Sequence, residues 1–294
     1  MLLLVLLVVY GGFEVLAQAA IRSSRILNRT DRELKEAVLV RRSAGGRKNL
    51  LVVGNSLLDE DLEFSQLQAQ AAAIGWDTHR LVVEQTTYFD WHFGIRRLVE
   101  QGGNPDAIML MLSPDQLVSG SVLNTTFAHY LMRTQDLPAV VGVTGIHPTE
   151  GSGFLLARYD AFYGLRQELR KNLLRLCIPN VADLTRLMAP AGSPAPNPLA
   201  ESLVEQRMRE QRRELEAQDI RFALVIPPVP VHKPVEDDAA KGALQAGVTL
   251  LMPKRSGEFP VSAFRDGFHM NPAGAEVYTK FLAPDVIAWL KSGK

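Results

Sequence analysis

Leu50-Leu51-Val52-Val53-Gly54-Asn55-Ser56-Leu57-Leu58 is the stretch on which the fold turns. Its four successive aliphatic residues suit a strand covered on both faces, as in a parallel sheet flanked by helices. Gly54 and Asn55 then break the strand and leave Ser56 at its carboxyl end. Outward from this point, residues 59–74 are rich in helix formers, carry acids in the first turn and meet Gly75 at their end, which predicts a helix. Residues 78–84 read as a second strand, 90–101 as a helix stopped by Gly102-Gly103, and 107–112 as a third, wholly apolar strand. Further on, 200–218 predicts a long charged helix, 221–226 and 247–252 two more strands, and 272–290 a closing helix. Strands separated by helices predict a three-layer α/β/α sandwich with a mainly parallel five-stranded sheet. In such sheets, sites form beyond the carboxyl ends of the strands, where Ser56 is expected.

Two segments stand outside this alternation. Residues 117–198 carry helical stretches near 127–133 and 157–176, a Gly- and Pro-bearing loop near 142–153 and a Pro-rich linker over 189–198, so they read as an insertion in the domain of residues 49–294. The other is the N-terminus. Residues 1–13 hold no charge, and Glu14 alone interrupts the apolar character up to Ile21. About 20 apolar residues cross a bilayer, so 1–21 reads as a membrane anchor, with a cleaved signal peptide as the alternative. Residues 22–48 follow as a basic stalk, with an amphipathic helix over 23–40 and a flexible joint at 43–46. That positive charge, taken alone, would hold the remainder on the cytoplasmic side.

Composition excludes little but excludes it firmly. Lys plus Arg and Asp plus Glu number 32 each in 294 residues, so no global charge points to a nucleic-acid partner. One cysteine, Cys177, forbids an intramolecular disulfide and, in its apolar run, reads as a core thiol. No Gly-rich phosphate cradle and no His/Cys metal cluster is visible in the spacing, and no cofactor or metal is called for.

The chemistry-bearing residues lie at opposite ends of the domain. Asp266-Gly267-Phe268-His269 places a carboxylate and an imidazole three residues apart, just before the helix opened by Pro272. A serine hydroxyl needs a base to take its proton; histidine suits that task, and a carboxylate can hold the imidazole in the required tautomer. Ser56, Asp266 and His269 therefore form a candidate nucleophile, orienting acid and general base. The Ser56 backbone N–H, at the mouth of the following helix, is the first candidate oxyanion donor.

The G-x-S-x-G elbow of α/β-hydrolases is not met, because Leu58 stands at its last position. The two segments instead resemble the SGNH (GDSL-type) hydrolase superfamily: Gly54-Asn55-Ser56 is similar to its Gly-Asp-Ser block, and Asp266-x-x-His269 to its late Asp-x-x-His block, over roughly 49–115 and 200–290. The resemblance implies ester hydrolysis or acyl transfer on acyl, chiefly acetyl, esters, with a membrane-anchored, extracytoplasmic protein of a bacterial envelope and a polysaccharide substrate as its branch. The family's glycine after the second strand is missing from Gln85-Thr86-Thr87-Tyr88, and its Asn after the third strand is replaced by Ser113-Pro114-Asp115-Gln116. Gln116 and Asn55 are then the side chains left to bind the oxyanion, Asn55 reading as a turn residue ahead of a donor.

Two rivals remain open: a lipase-like or lysophospholipase-like esterase, and a non-catalytic protein that binds glycan or a partner. Of the other histidines, His79, His92 and His129 read as structural or surface groups, while His147 and His232 fall on loops, His232 near the expected pocket. Tyr88 and Trp91 read as core aromatics, with stacking on a sugar as the alternative.

Overall fold

The computed structural model describes residues 1–42, 46–120, 125–177 and 197–292. Five strands, β1 (Lys48–Gly54), β2 (Trp76–Val82), β3 (Ala107–Met111), β4 (Arg221–Val225) and β5 (Thr249–Leu251), form one sheet in the order β2-β1-β3-β4-β5. Every pairing is parallel, with Gly54 opposite Val82 on one side and Met111 on the other. The chain starts in the middle of the sheet and reverses direction there, so a crevice opens beyond the carboxyl ends of β1 and β3.

Because each strand alternates its side chains, the apolar runs feed two cores. Leu51, Val53, Ile108, Leu110 and Leu224 face one layer, made by α5 (Tyr88–Glu100), α11 (Ala200–Glu216) and α12 (Pro234–Gln245). Leu50, Val52, Met109, Met111 and Val225 face the other, made by α3 (Ser56–Glu60), α4 (Phe64–Ala72) and α13 (Pro272–Lys291). The α/β/α sandwich with a five-stranded parallel sheet is thus observed as the sequence implies.

The helical residues 59–74 do not form one helix. The chain turns between α3 and α4, where Asp61 accepts from the Met270 N–H at 2.8 Å and the Glu63 N–H donates to Thr279 Oγ1 at 2.8 Å. Tertiary hydrogen bonds outweigh local propensity there. The N-terminal polar helix also departs from expectation: α2 (Arg25–Leu39) is not a free stalk. It lays Leu27, Thr30, Glu33 and Ala37 inward at helical spacing and docks on β2, Thr30 donating to Val82 O and Glu33 accepting from Val82 N.

Preceding it, α1 (Leu2–Ser23) is a 22-residue apolar helix long enough to cross a membrane, solvent-exposed over most of its length. The insertion builds α6 (Pro114–Val118), α7 (Thr125–Leu131), α8 (Leu137–Thr144), α9 (Pro148–Tyr159) and α10 (Ala161–Cys177). The loop expected near 142–153 is largely helical: Gly145, at φ 63°, ends α8, while Gly151 and Gly153 sit inside α9, where added Cβ atoms would meet Val141 at 3.3 Å and the Tyr163 hydroxyl at 3.0 Å. Glycine serves close packing here rather than flexibility. The Cys177 side chain, residues 43–45 and residues 189–196 of the linker lie outside the described residues.

Candidate active site

Ser56 is the first residue of α3 and so sits directly past β1. Asn55 caps that helix, its side chain accepting from the Leu57 N–H at 3.1 Å. Gly54 lies close to its neighbours; a Cβ there would stand 2.8 Å from Met111 O. On the opposite wall, Asp266 closes a tight turn by accepting from the N–H groups of Phe268 (2.9 Å) and His269 (2.7 Å). Asn271 then caps α13 through the Gly274 N–H at 3.0 Å, with Pro272 in the first turn.

These two walls meet. His269 Nε2 lies 2.9 Å from Ser56 Oγ, and His269 Nδ1 lies 3.0 Å from Asp266 Oδ2. Partial burial opposes ionisation of Asp266, yet the His269 backbone N–H, the imidazole and the Phe268 N–H outweigh it and lower its pKa to about 2. An ionised Asp266 requires a proton on Nδ1, which leaves the Nε2 lone pair to accept from the serine hydroxyl. The sequence-predicted trio is therefore assembled with relay geometry.

The loop that carries His269 is clamped to the helix that carries Ser56. Arg265 pairs with Glu60, and Asp61 holds the Met270 N–H from the carboxyl end of α3. Burial pushes the Asp61 carboxyl well above the usual carboxylate range. Glu60 is also raised by burial, against the pull of the His269 and Arg265 charges. Arg29 of α2 reaches the same region, pairing with Asp59 and, at 2.7 Å, with Glu84. None of these supports was visible in residue spacing.

The two side chains expected at the oxyanion are directed elsewhere. Asn55 is fully buried; its amide donates to Thr86 O at 2.9 Å and its oxygen holds Leu57 N–H, so it straps the end of β1 to the loop after β2. Gln116 folds back on its own helix, accepting from the Ser113 N–H at 2.9 Å to close a capping box. Asp115 pairs with Lys233 at 2.8 Å. The loop after β2 supplies a different feature: Gln85 adopts φ 58°, the left-handed region where glycine is ordinarily found. Among the described residues, neither the Gln85 nor the Ser56 backbone N–H has an acceptor.

Beside Gly267 and Phe268, a small cleft of about 80 Å³ is lined by Ser113, Asp115, Val229, Val231 and Lys233. A wider concavity of about 900 Å³ lies at the amino ends of β4 and β5, around Arg221, Gly247 and Trp289, and none of the three relay residues lines it. Trp91 and Tyr88 are buried in the core and present no stacking surface. His232 pairs with Asp237 at 3.1 Å rather than with the relay. Separate helices bring His92, Glu210 and Glu214 within 4.8 Å of one another, a grouping that no sequence spacing announced. Arg96 already pairs with Glu214 and stands 3.2 Å from His92 Nε2, so a cation would have to displace a guanidinium.

No protein-family model matches the chain, and no curated protein matches it by sequence. Similar solved structures include an alpha/beta hydrolase enzyme from the metagenome of Lake Arreo, Spain, 12% identical with a TM-score of 0.43, covering 85% of this chain and 97% of that one. An acetylxylan esterase from Geobacillus stearothermophilus is 13% identical with a TM-score of 0.42, over 82% of this chain and 95% of that one. A putative acylhydrolase from Bacteroides fragilis is 10% identical with a TM-score of 0.43, over 90% and 97% respectively.

Proposed function

We propose that this protein is a serine-dependent esterase or acyltransferase of SGNH type acting on short acyl esters. The observation that carries the reading is the 2.9 Å approach of Ser56 Oγ to His269 Nε2 with Asp266 behind the imidazole. In the proposed reaction, His269 removes the hydroxyl proton as Ser56 Oγ attacks the ester carbonyl. The imidazolium returns that proton to the departing alcohol oxygen, leaving an acyl-serine. Water or an acceptor hydroxyl then repeats the cycle in reverse order, and the acid or new ester departs. The developing oxyanion is received by the Ser56 N–H and the Gln85 N–H, two backbone donors without other acceptors among the described residues. That pair replaces the side chains that Asn55 and Gln116 do not supply.

The short acyl group rests on the resemblance of the two motif segments, since the cleft of about 80 Å³ at Gly267 and Phe268 is not lined by Ser56, Asp266 or His269. An acetylated envelope polysaccharide, with α1 as a tether and the domain on the extracytoplasmic face, is the substrate class and setting we favour. The basic residues following α1 stand against that sidedness. The engagement of the Asn55 amide nitrogen with Thr86 O, and of the Gln116 side-chain oxygen with the Ser113 N–H, favours a second reading, a glycan-binding protein without turnover.

A fluorophosphonate probe separates the two readings. Labelling of the parent protein with none of Ser56→Ala is the expected result, and an unlabelled parent overturns the enzyme. Faster turnover of acetyl than of long-chain esters is expected; the reverse preference removes the short-acyl assignment in favour of the lipase-like reading.

A further inference from the structure

The helical insertion packs against the second half of the apolar N-terminal helix. Phe13 of α1 stacks on Phe162 of α10 with ring centroids 4.8 Å apart. Beyond it, Ala17 and Ile21 join Leu27, Ala161, Leu165 and Leu169 in a separate apolar cluster. The second half of α1 is therefore flanked by the insertion, while its residues from Leu2 to Phe13 stand exposed.

A helix needs about 20 residues to cross a hydrocarbon core of about 30 Å. Immersing α1 to its end would drag the first turns of α10 in with it, including Arg166 and Glu168, and charges are expensive in hydrocarbon. The bilayer surface is thus set near Phe13 and Glu14, where the apolar run meets its one charge, so the described part of α1 in hydrocarbon is Leu2–Phe13, about 18 Å of helix and short of a full crossing. Beside that level the insertion presents Phe162 (38% exposed) and, on the adjoining end of α9, Leu156 (47%) and Tyr159 (71%), the last two one turn apart on the same face. Large apolar and aromatic side chains at the margin of a membrane-inserted helix match the composition of a membrane interface.

We infer that Leu156, Tyr159 and Phe162 dip into the lipid headgroup region beside α1, making the insertion a second membrane contact; this rests on α1 being a membrane helix. The contact also fixes where the candidate site stands. From Phe13 to Arg29 the chain runs through two helices, a contour of about 25 Å at 1.5 Å per residue. Arg29 pairs with Asp59, three residues past Ser56. A domain held at two points, rather than swinging on one tether, keeps that site close to the bilayer.

The test uses the full chain in phosphatidylcholine/phosphatidylglycerol vesicles whose acyl chains carry bromine as a tryptophan quencher. Val5→Trp reports on α1, Tyr159→Trp on the insertion, and Leu244→Trp on α12 at the opposite edge of the sheet. Trp76, Trp91 and Trp289 are buried and give a background that the parent protein measures. Loss of most of the added emission is expected for Val5→Trp and Tyr159→Trp and none for Leu244→Trp. Quenching of Val5→Trp without Tyr159→Trp overturns this inference while leaving the anchor in place. An unquenched Val5→Trp overturns both, and equal quenching at Leu244→Trp overturns it by showing general adsorption.

Discussion

Asp61 offers a test of the site that does not touch the relay itself. Its backbone N–H closes α3 on Leu57 O at 2.8 Å, and its Oδ1 takes the Met270 N–H at 2.8 Å, so one residue joins the Ser56 helix to the residue after His269. Met270 is 2% exposed, and Asp61→Ala leaves its N–H buried without a partner. Such a loss costs about 1–3 kcal/mol, and the loop can recover part of it only by shifting towards solvent, carrying the imidazole with it. A displacement near 1 Å at a reacting group can lower a rate by about 100-fold. The expected outcome is a fluorophosphonate labelling rate reduced about 10- to 100-fold in Asp61→Ala, measured well below its unfolding temperature.

Asp61→Asn separates hydrogen bonding from charge. Burial holds this carboxyl well above its usual range, and its Oδ2 has no partner among the described residues, so the hydrogen bond rather than a negative charge is what the fold uses. Asparagine keeps the accepting oxygen and the shape. Its labelling rate should stay within about threefold of the parent, since the Met270 N–H keeps its acceptor, while the new amide N–H groups, buried where Oδ2 has no partner among the described residues, lower stability rather than displace His269. An Asp61→Asn protein as slow as Asp61→Ala would refute this reasoning by showing that charge matters, and a parent-like Asp61→Ala would show that the clamp does not position His269.

Three further outcomes follow from the geometry. Asn55→Ala removes the strap to Thr86 O and the cap on Leu57 N–H from a fully buried position and should lower unfolding free energy in urea by about 2–3 kcal/mol. Gly54→Ala forces a Cβ to 2.8 Å from Met111 O and 3.1 Å from Leu58 Cβ; a stability loss of about 1–3 kcal/mol is expected, with slower probe labelling because β1 and Ser56 shift together. Asp90 is wholly buried, and burial outweighs its Thr87 hydrogen bonds to raise its pKa to about 7. The folded state thus keeps the proton that the unfolded chain releases near pH 4, so stability is greatest below that value and falls as pH rises towards 7. Thermal melts of Asp90→Asn, which can still accept from the Thr87 N–H, should show a shallower decline over that window than the parent; an unchanged slope would exclude Asp90 as its source.

What the sequence disclosed and what it hid divide along a physical line. Buried strands announced themselves, because β1 from Leu50 to Val53 and the whole of β3 are covered on both faces and must be apolar there. The approach of Ser56, His269 and Asp266 was legible because each half is local: a serine at a strand end, and an aspartate and histidine within one turn. Features set by distant partners were not. The break between α3 and α4 depends on Met270 and Thr279, more than 200 positions away, and α12 begins soon after a Pro-rich run that reads as loop. Backbone conformation was the deepest omission. A search for a glycine after β2 finds none, yet Gln85 takes the left-handed conformation that such a glycine would favour.

The docking of α2 changes how the N-terminal segment is understood. As a stalk, its basic residues would only solvate a linker or face lipid headgroups. In the fold, Arg29 lies between Asp59 and Glu84, so α2 neutralises acids contributed by α3 and by the loop after β2, while its own Glu33 pairs with Arg80 of β2 at 2.7 Å. Those two segments carry Ser56 and Gln85, the proposed nucleophile and one proposed oxyanion donor. The basic run after the apolar helix thus has an internal use, and part of the charge that would set topology is paired within the domain. Counting Arg29 as a free juxtamembrane cation overstates the electrostatic case for a cytoplasmic domain, since a folded ion pair presents little net charge to the membrane.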